Sequence, residues 1–147
     1  MRRVACVGVW VLVAAACTER PRADPSNVEQ VVRGNRVYDA QCAACHGAKL
    51  EGQPNWRERL PSGKFPAPPH DASGHTWHHS DELLFNITKH GITRYAPPGY
   101  QSDMPAFGNR LSDDDIWAVL AYIKRTWPDE PRKWQAEVSQ EDARRWR

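Results

Sequence analysis

The run Asp39-Ala40-Gln41-Cys42-Ala43-Ala44-Cys45-His46-Gly47 places two thiols one helical turn apart and an imidazole directly behind the second. Few chemistries use that spacing. A redox dithiol of the thioredoxin kind expects a strand leading into a helix, and a zinc site expects a second ligand pair of comparable spacing; neither is present. The histidine without a gap decides between them. Two such thiols can add to the vinyl groups of a haem as thioethers. The adjacent imidazole is then held against the iron, one ring nitrogen on the metal and the other free to donate to a backbone carbonyl. Cys42 and Cys45 are therefore expected to attach one covalent haem c, with His46 as its proximal axial ligand.

The start of the chain agrees with that chemistry, because this attachment belongs to exported proteins. Arg2 and Arg3 precede an apolar run from Val4 to Ala16, shorter than the roughly 20 residues a spanning helix needs and laid out as a secretory signal. Residues 1–16 are read as that signal. Ala14-Ala15-Ala16 fits a cleavage site, and Cys17 behind it also resembles the acylated cysteine of a bacterial lipobox. The expectation is a lipid-anchored protein on the periplasmic side of the bacterial cell envelope, with a free secreted protein as the other outcome. Loss of the signal removes Arg2 and Arg3, leaving 18 basic against 18 acidic residues. A neutral chain has no nucleic-acid footprint.

Residues 17–27 are polar and proline-bearing, the composition of a tether. Ser26 and Glu29 are spaced as a capping box, and Val28, Val31, Val32, Asn35, Tyr38 and Cys42 follow at helical intervals, predicting a helix into the cysteine pair. Gly47 to Ser80 is rich in proline and glycine and reads as an irregular loop. Ser80 caps a second helix with Leu83, Leu84 and Ile87 as its buried stripe, closed by Lys89, His90 and Gly91. After a further loop, Ser112 caps the clearest helix, with Ile116, Val119, Leu120, Ile123 and Trp127 on its apolar face and Pro128 ending it. Residues 28–127 form the predicted domain. The charged extension 128–147 reads as a frayed or docked helix without chemistry.

A low-spin electron carrier needs a second axial ligand, and thioether sulfur favours ferrous iron. Of two methionines, Met1 leaves with the signal. Met104, beside Pro105 in the loop before the clearest helix, is the candidate distal ligand.

Three stretches, VVRGNRVYDAQCAACHG, DELLFNITKHGI and DMPAFGNRLSDDDIWAVLAYIK, resemble a bacterial class I cytochrome c over roughly Val31 to Trp127. The resemblance implies a small all-α fold of three to five helices around the covalently bound haem. It implies a crossing of the first and last helices at Gly34 and Tyr38 against Trp117, Leu120, Ala121 and Lys124, with Tyr122 close by. Met104 in MPAF takes the distal role, and Pro68 or Pro69 supplies a carbonyl to the proximal histidine. The function implied is single-electron transfer between redox protein partners in a periplasmic or membrane respiratory chain, by a monomer that turns over no substrate. A cytochrome subunit of an oxidase or dehydrogenase, and a haem-based gas or redox sensor, are the alternatives.

His70, His75, His78 and His79 crowd one loop, where copper or zinc binding is conceivable, although no cysteine or carboxylate completes a recognisable pattern. Trp77 and these imidazoles suit hydrogen bonds to haem propionates. His90 could compete with Met104 for iron, but its place at a helix end has a dipole explanation.

Overall fold

The computed structural model describes residues 22–145; the expected signal 1–16 and the expected lipid attachment at Cys17 lie outside them. The regular elements of the described residues are all helices, without strands: α1 (Val28–Gln41), α2 (Ala43–His46), α3 (Asp81–His90), α4 (Asp113–Thr126) and α5 (Asp129–Arg145), with 3-10 turns at Thr76–His78 and Ile92–Arg94. This is the expected all-α fold of three to five helices. None of these helices is long and apolar enough to cross a membrane.

Helix starts follow side-chain oxygen chemistry. Ser80 accepts from the Leu83 amide to open α3, and Ser112 forms a full capping box with Asp115 to open α4. The α1 start differs from the expected Ser26/Glu29 box. Asn27 is the cap, accepting from Gln30 N, because the Ser26 amide and hydroxyl are both taken by Asp24 Oδ1 in the preceding turn.

The α1 and α4 helices cross at Gly34 and Tyr38 with Tyr122 close by, as expected, but the other residues at the crossing differ. Gly34 lies against the Ala118 carbonyl and Tyr122, while Tyr38 packs with Leu50, Val119, Ile123 and Trp127. Trp117, Leu120 and Ala121 join Ala23, Leu84 and Phe85 in a second cluster, with the Phe85 and Trp117 rings stacked 4.2 Å apart. Lys124 turns to Asp81 of α3. The face of α1 that meets α4 is thus centred on Gly34 and Tyr38, which leaves Val28 (75%) and Val32 (50%) exposed. In α3, Leu84 and Phe85 are buried, whereas Leu83 and Ile87 are half-buried.

Both ends of the described chain pack onto this frame. Gln30 brackets residues 22–24, donating to Arg22 O and accepting from Asp24 N, so that Ala23 is fully buried. The α5 helix covers the start of α3: Gln135 Nε2 reaches His79 O and Asp81 Oδ1, and Ser139 Oγ accepts from Asp81 N.

Candidate haem site

The α1 helix ends as Cys42 N donates to Tyr38 O, and the short α2 restarts with Cys42 as its cap. Cys45 and His46 follow on the same turn, so one local structure presents both thiols and the imidazole. Both cysteines are free thiols, Cys42 half-buried and Cys45 exposed. Burial, with the nearby Cys45 adding to it, pushes the Cys42 thiol up to about 11. Gly47 closes the turn at φ +82°, a conformation that suits glycine. The buried Tyr38 hydroxyl donates to Gly47 O at 2.8 Å and more weakly to His46 O at 3.3 Å, tying the turn to the helix crossing.

His46 is buried, at 8% exposure. Its Nδ1 lies 2.8 Å from Pro68 O, which selects Pro68 over Pro69 as the carbonyl partner. Burial lowers its pKa, against a smaller opposing effect of that hydrogen bond. A neutral imidazole that donates from Nδ1 carries its lone pair on Nε2, and Nε2 makes no hydrogen bond within the described residues. This donor set fits haem c: two free thiols, a pre-oriented imidazole with its metal-binding nitrogen available, and a carbonyl holding the other nitrogen.

Met104 comes from a separate, irregular stretch between α3 and α4, half-buried, with its amide donating to Ser102 Oγ. That stretch is anchored at both ends. Phe107 N and Gly108 N donate to Thr88 O and Lys89 O at the close of α3. On the other side, Asp103 pairs with Lys64 and Tyr100 stacks on Phe65 with centroids 6.0 Å apart and planes 19° from parallel. The proline-rich stretch 47–69 is thereby joined to the methionine-bearing one.

The loop histidines have separate surroundings. His75 stacks on Trp56, His78 on Trp77, and His79 meets His75 edge-on. Among the described residues no group of three or more histidines, cysteines or acidic residues could hold a metal ion. Trp77 Nε1 points to Ala72 O at 3.4 Å. His70 is different and was not distinguished by sequence: its ring stacks on that of His46, centroids 4.0 Å apart. Burial, with the neighbouring His46 and His75 adding to it, holds His70 well below the ordinary histidine value.

Comparison with known proteins gives the same picture. A family model described as Cytochrome c matches residues 31–127. The chain is similar to "Thiosulfate dehydrogenase" of Stutzerimonas stutzeri (strain A1501), 29% identical over 115 residues, covering 78% of this chain and 33% of the relative. It is also similar to "Cytochrome c-555" of Prosthecochloris aestuarii, 44% identical over 46 residues, 26% of this chain and 46% of the relative. The chain thus spans about a third and under half of the lengths of these relatives. No solved structure matches it.

Proposed function

This chain belongs to the cytochrome c family, and on that footing we propose that it is a class I monohaem carrier whose iron is held between His46 and Met104. Family membership carries the coarser statement: the chain binds haem c covalently, Cys42 and Cys45 fit the attachment motif, and it moves electrons between redox partners. When bound, the haem supplies a one-electron ferric/ferrous couple. The protein's part is to hold both ligands still through that change. Pro68 and Tyr38 restrain the proximal turn, and the contacts at Tyr100, Asp103, Phe107 and Gly108 restrain the Met104 stretch on both sides.

The observation that carries the reading is His46 itself: buried, on the same turn as both thiols, with Nδ1 committed to Pro68 O and Nε2 available. The test is the optical spectrum of the oxidised protein with and without Met104→Ala. Loss of the weak sulfur-to-iron charge-transfer band in the variant is expected, and an unchanged spectrum would refute the Met104 assignment.

The setting we propose is the periplasmic side of a bacterial envelope, in a respiratory chain, with a monomeric domain tethered through an acylated Cys17. Four residues lie between Cys17 and Arg22, whose carbonyl accepts from Gln30, so the lipid would lie within about 18 Å of Arg22 even on a fully extended chain. Such a tether raises the local concentration of partners in the same membrane. Labelling with a radioactive fatty acid, abolished by Cys17→Ser, tests it. The likeness to a thiosulfate dehydrogenase favours a second reading, a cytochrome unit working inside an oxidoreductase. Gentle purification would then return a stoichiometric partner, which a freely diffusing carrier would lack.

A further inference from the structure

One hydrogen bond does not fix the plane of an imidazole. The His46 Nδ1 contact to Pro68 O holds a corner of the ring, and carbonyl acceptors tolerate a broad range of donor directions. The remaining freedom is a rocking of the ring about that contact. A second planar group lies in its way: the His70 ring, 4.0 Å from that of His46 by centroids and 23° from parallel.

His70 is itself locked by three separate parts of the fold. Its amide donates to Leu50 O at 2.8 Å, in the turn that follows the cysteine pair. Its ring Nδ1 meets Thr76 Oγ1 at 2.8 Å, in the 3-10 turn. Its carbonyl accepts from Trp127 Nε1 at 2.7 Å, at the C-cap of α4, and Trp127 is 2% exposed. Tyr38, from the helix crossing, stands edge-on to the His70 ring at 6.3 Å. A leucine here would fill space but present no flat face, and phenylalanine would present the face without the Thr76 contact.

We propose that His70 is a positioning residue for the proximal ligand: by stacking on His46 it fixes the plane in which that imidazole meets the iron. The inference rests on the assignment of His46 as the proximal ligand. It links the end of α4, through Trp127 and His70, to that ligand's ring.

In low-spin ferric haem the orientation of an axial imidazole plane sets the splitting of the iron d orbitals, which electron paramagnetic resonance reads as the spread of the g values. The experiment uses the full-length holoprotein and His70→Phe, His70→Leu and His70→Ala, with far-UV circular dichroism to show that each is folded. His70→Phe keeps a flat ring against His46 without the Thr76 contact and is expected to keep the wild-type g values with broadened lines. His70→Leu and His70→Ala remove that ring, and a shifted largest g value with broadened lines is expected in both. Thr76→Val frees the His70 ring and is expected to broaden the lines without abolishing them. A merely structural contribution would lower the melting temperature of these variants while leaving the folded spectrum alone. Identical g values in His70→Phe and His70→Leu would overturn the proposal, and that comparison stands even where His70→Ala fails to retain haem. Survival of the wild-type low-spin spectrum in His46→Ala would overturn the ligand assignment and this inference together, a result separable from the first.

Discussion

Gly34 of α1 and Ala118 of α4 meet backbone to backbone: a Cβ built on Gly34 would lie 1.9 Å from the Ala118 carbonyl oxygen and 2.9 Å from Tyr122 Cβ. A carbonyl inside a helix has no alternative position, so Gly34→Ala must push the two helices apart. The displaced region includes Tyr38, one turn further on, whose hydroxyl holds the carbonyls of Gly47 and His46. Overpacking of about 3 kcal/mol outweighs the roughly 1 kcal/mol that alanine gains over glycine inside a helix, leaving a net loss of about 2 kcal/mol. Guanidinium denaturation followed at the Soret band checks it; equal midpoints would mean that the crossing yields easily.

Asp81 and Lys124 form the most buried ion pair of the described residues, with side chains 14% and 5% exposed. Lys124 Nζ reaches both carboxylate oxygens, at 2.8 and 2.7 Å, and Gln135 Nε2 donates to one of them at 2.7 Å. Lys124→Met leaves the carboxylate under α5 without its cation, a change expected to destabilise by about 3 kcal/mol. Neutralising the partner as well, in Asp81→Asn with Lys124→Met, should recover most of the loss. Urea titration of the three proteins decides it: a double variant as weak as the single one would show that Asp81 is not the group left uncompensated.

Local signals were the legible ones. The cysteine pair with His46 behind it, and the caps Ser80 and Ser112, are signals contained within four residues, so they can be read without knowing what packs where. The proposal of Met104 as a ligand rests on scarcity and its proline neighbour. Three features needed the third dimension. Ser26 has the right spacing for a cap, but Asp24 claims it and Asn27 takes the role. The α5 helix carries no apolar stripe; its fully buried residue is Gln135, held by polar partners that lie 54 and 56 positions away. His70 sits in a stretch with no period at all, and only the return of that stretch beneath His46 separates it from three other loop histidines.

The capping box of α4 gives a pH-dependent expectation. The Ser112 hydroxyl donates to Asp115 at 2.7 Å and, with Arg33 adding to the effect, holds its carboxyl below the ordinary 3.8, against a smaller opposing effect of burial. A depressed carboxylate stabilises the fold fully above its unfolded value and loses that contribution as pH falls through its folded value. Ser112→Ala should cost about 1 kcal/mol at neutral pH. The gap between wild type and variant should narrow below the ordinary aspartate range. Thermal melts at neutral pH and in acid measure both gaps, and a gap that stays constant would show that Asp115 does not contribute to it.

Tyr100 and Asp103 both tie the Met104 stretch to the stretch at residues 64 and 65, but by contacts of different strength. The Asp103 side chain is 80% exposed where it pairs with Lys64, and surface pairs of that kind are screened by water and salt. The stacking of Tyr100 on Phe65 is an aromatic contact of about 1 kcal/mol. If Met104 must leave the iron before an external ligand can bind, the aromatic contact should control how often that happens. Tyr100→Ala is expected to speed imidazole binding to the ferric protein about fivefold, the equivalent of that energy. Asp103→Asn should change the rate by less than about twofold and only at low salt. Stopped-flow mixing at two ionic strengths separates the two contributions. Equal rates in wild type and Tyr100→Ala would mean that the anchors at Phe107 and Gly108, on the α3 side, hold the methionine without help.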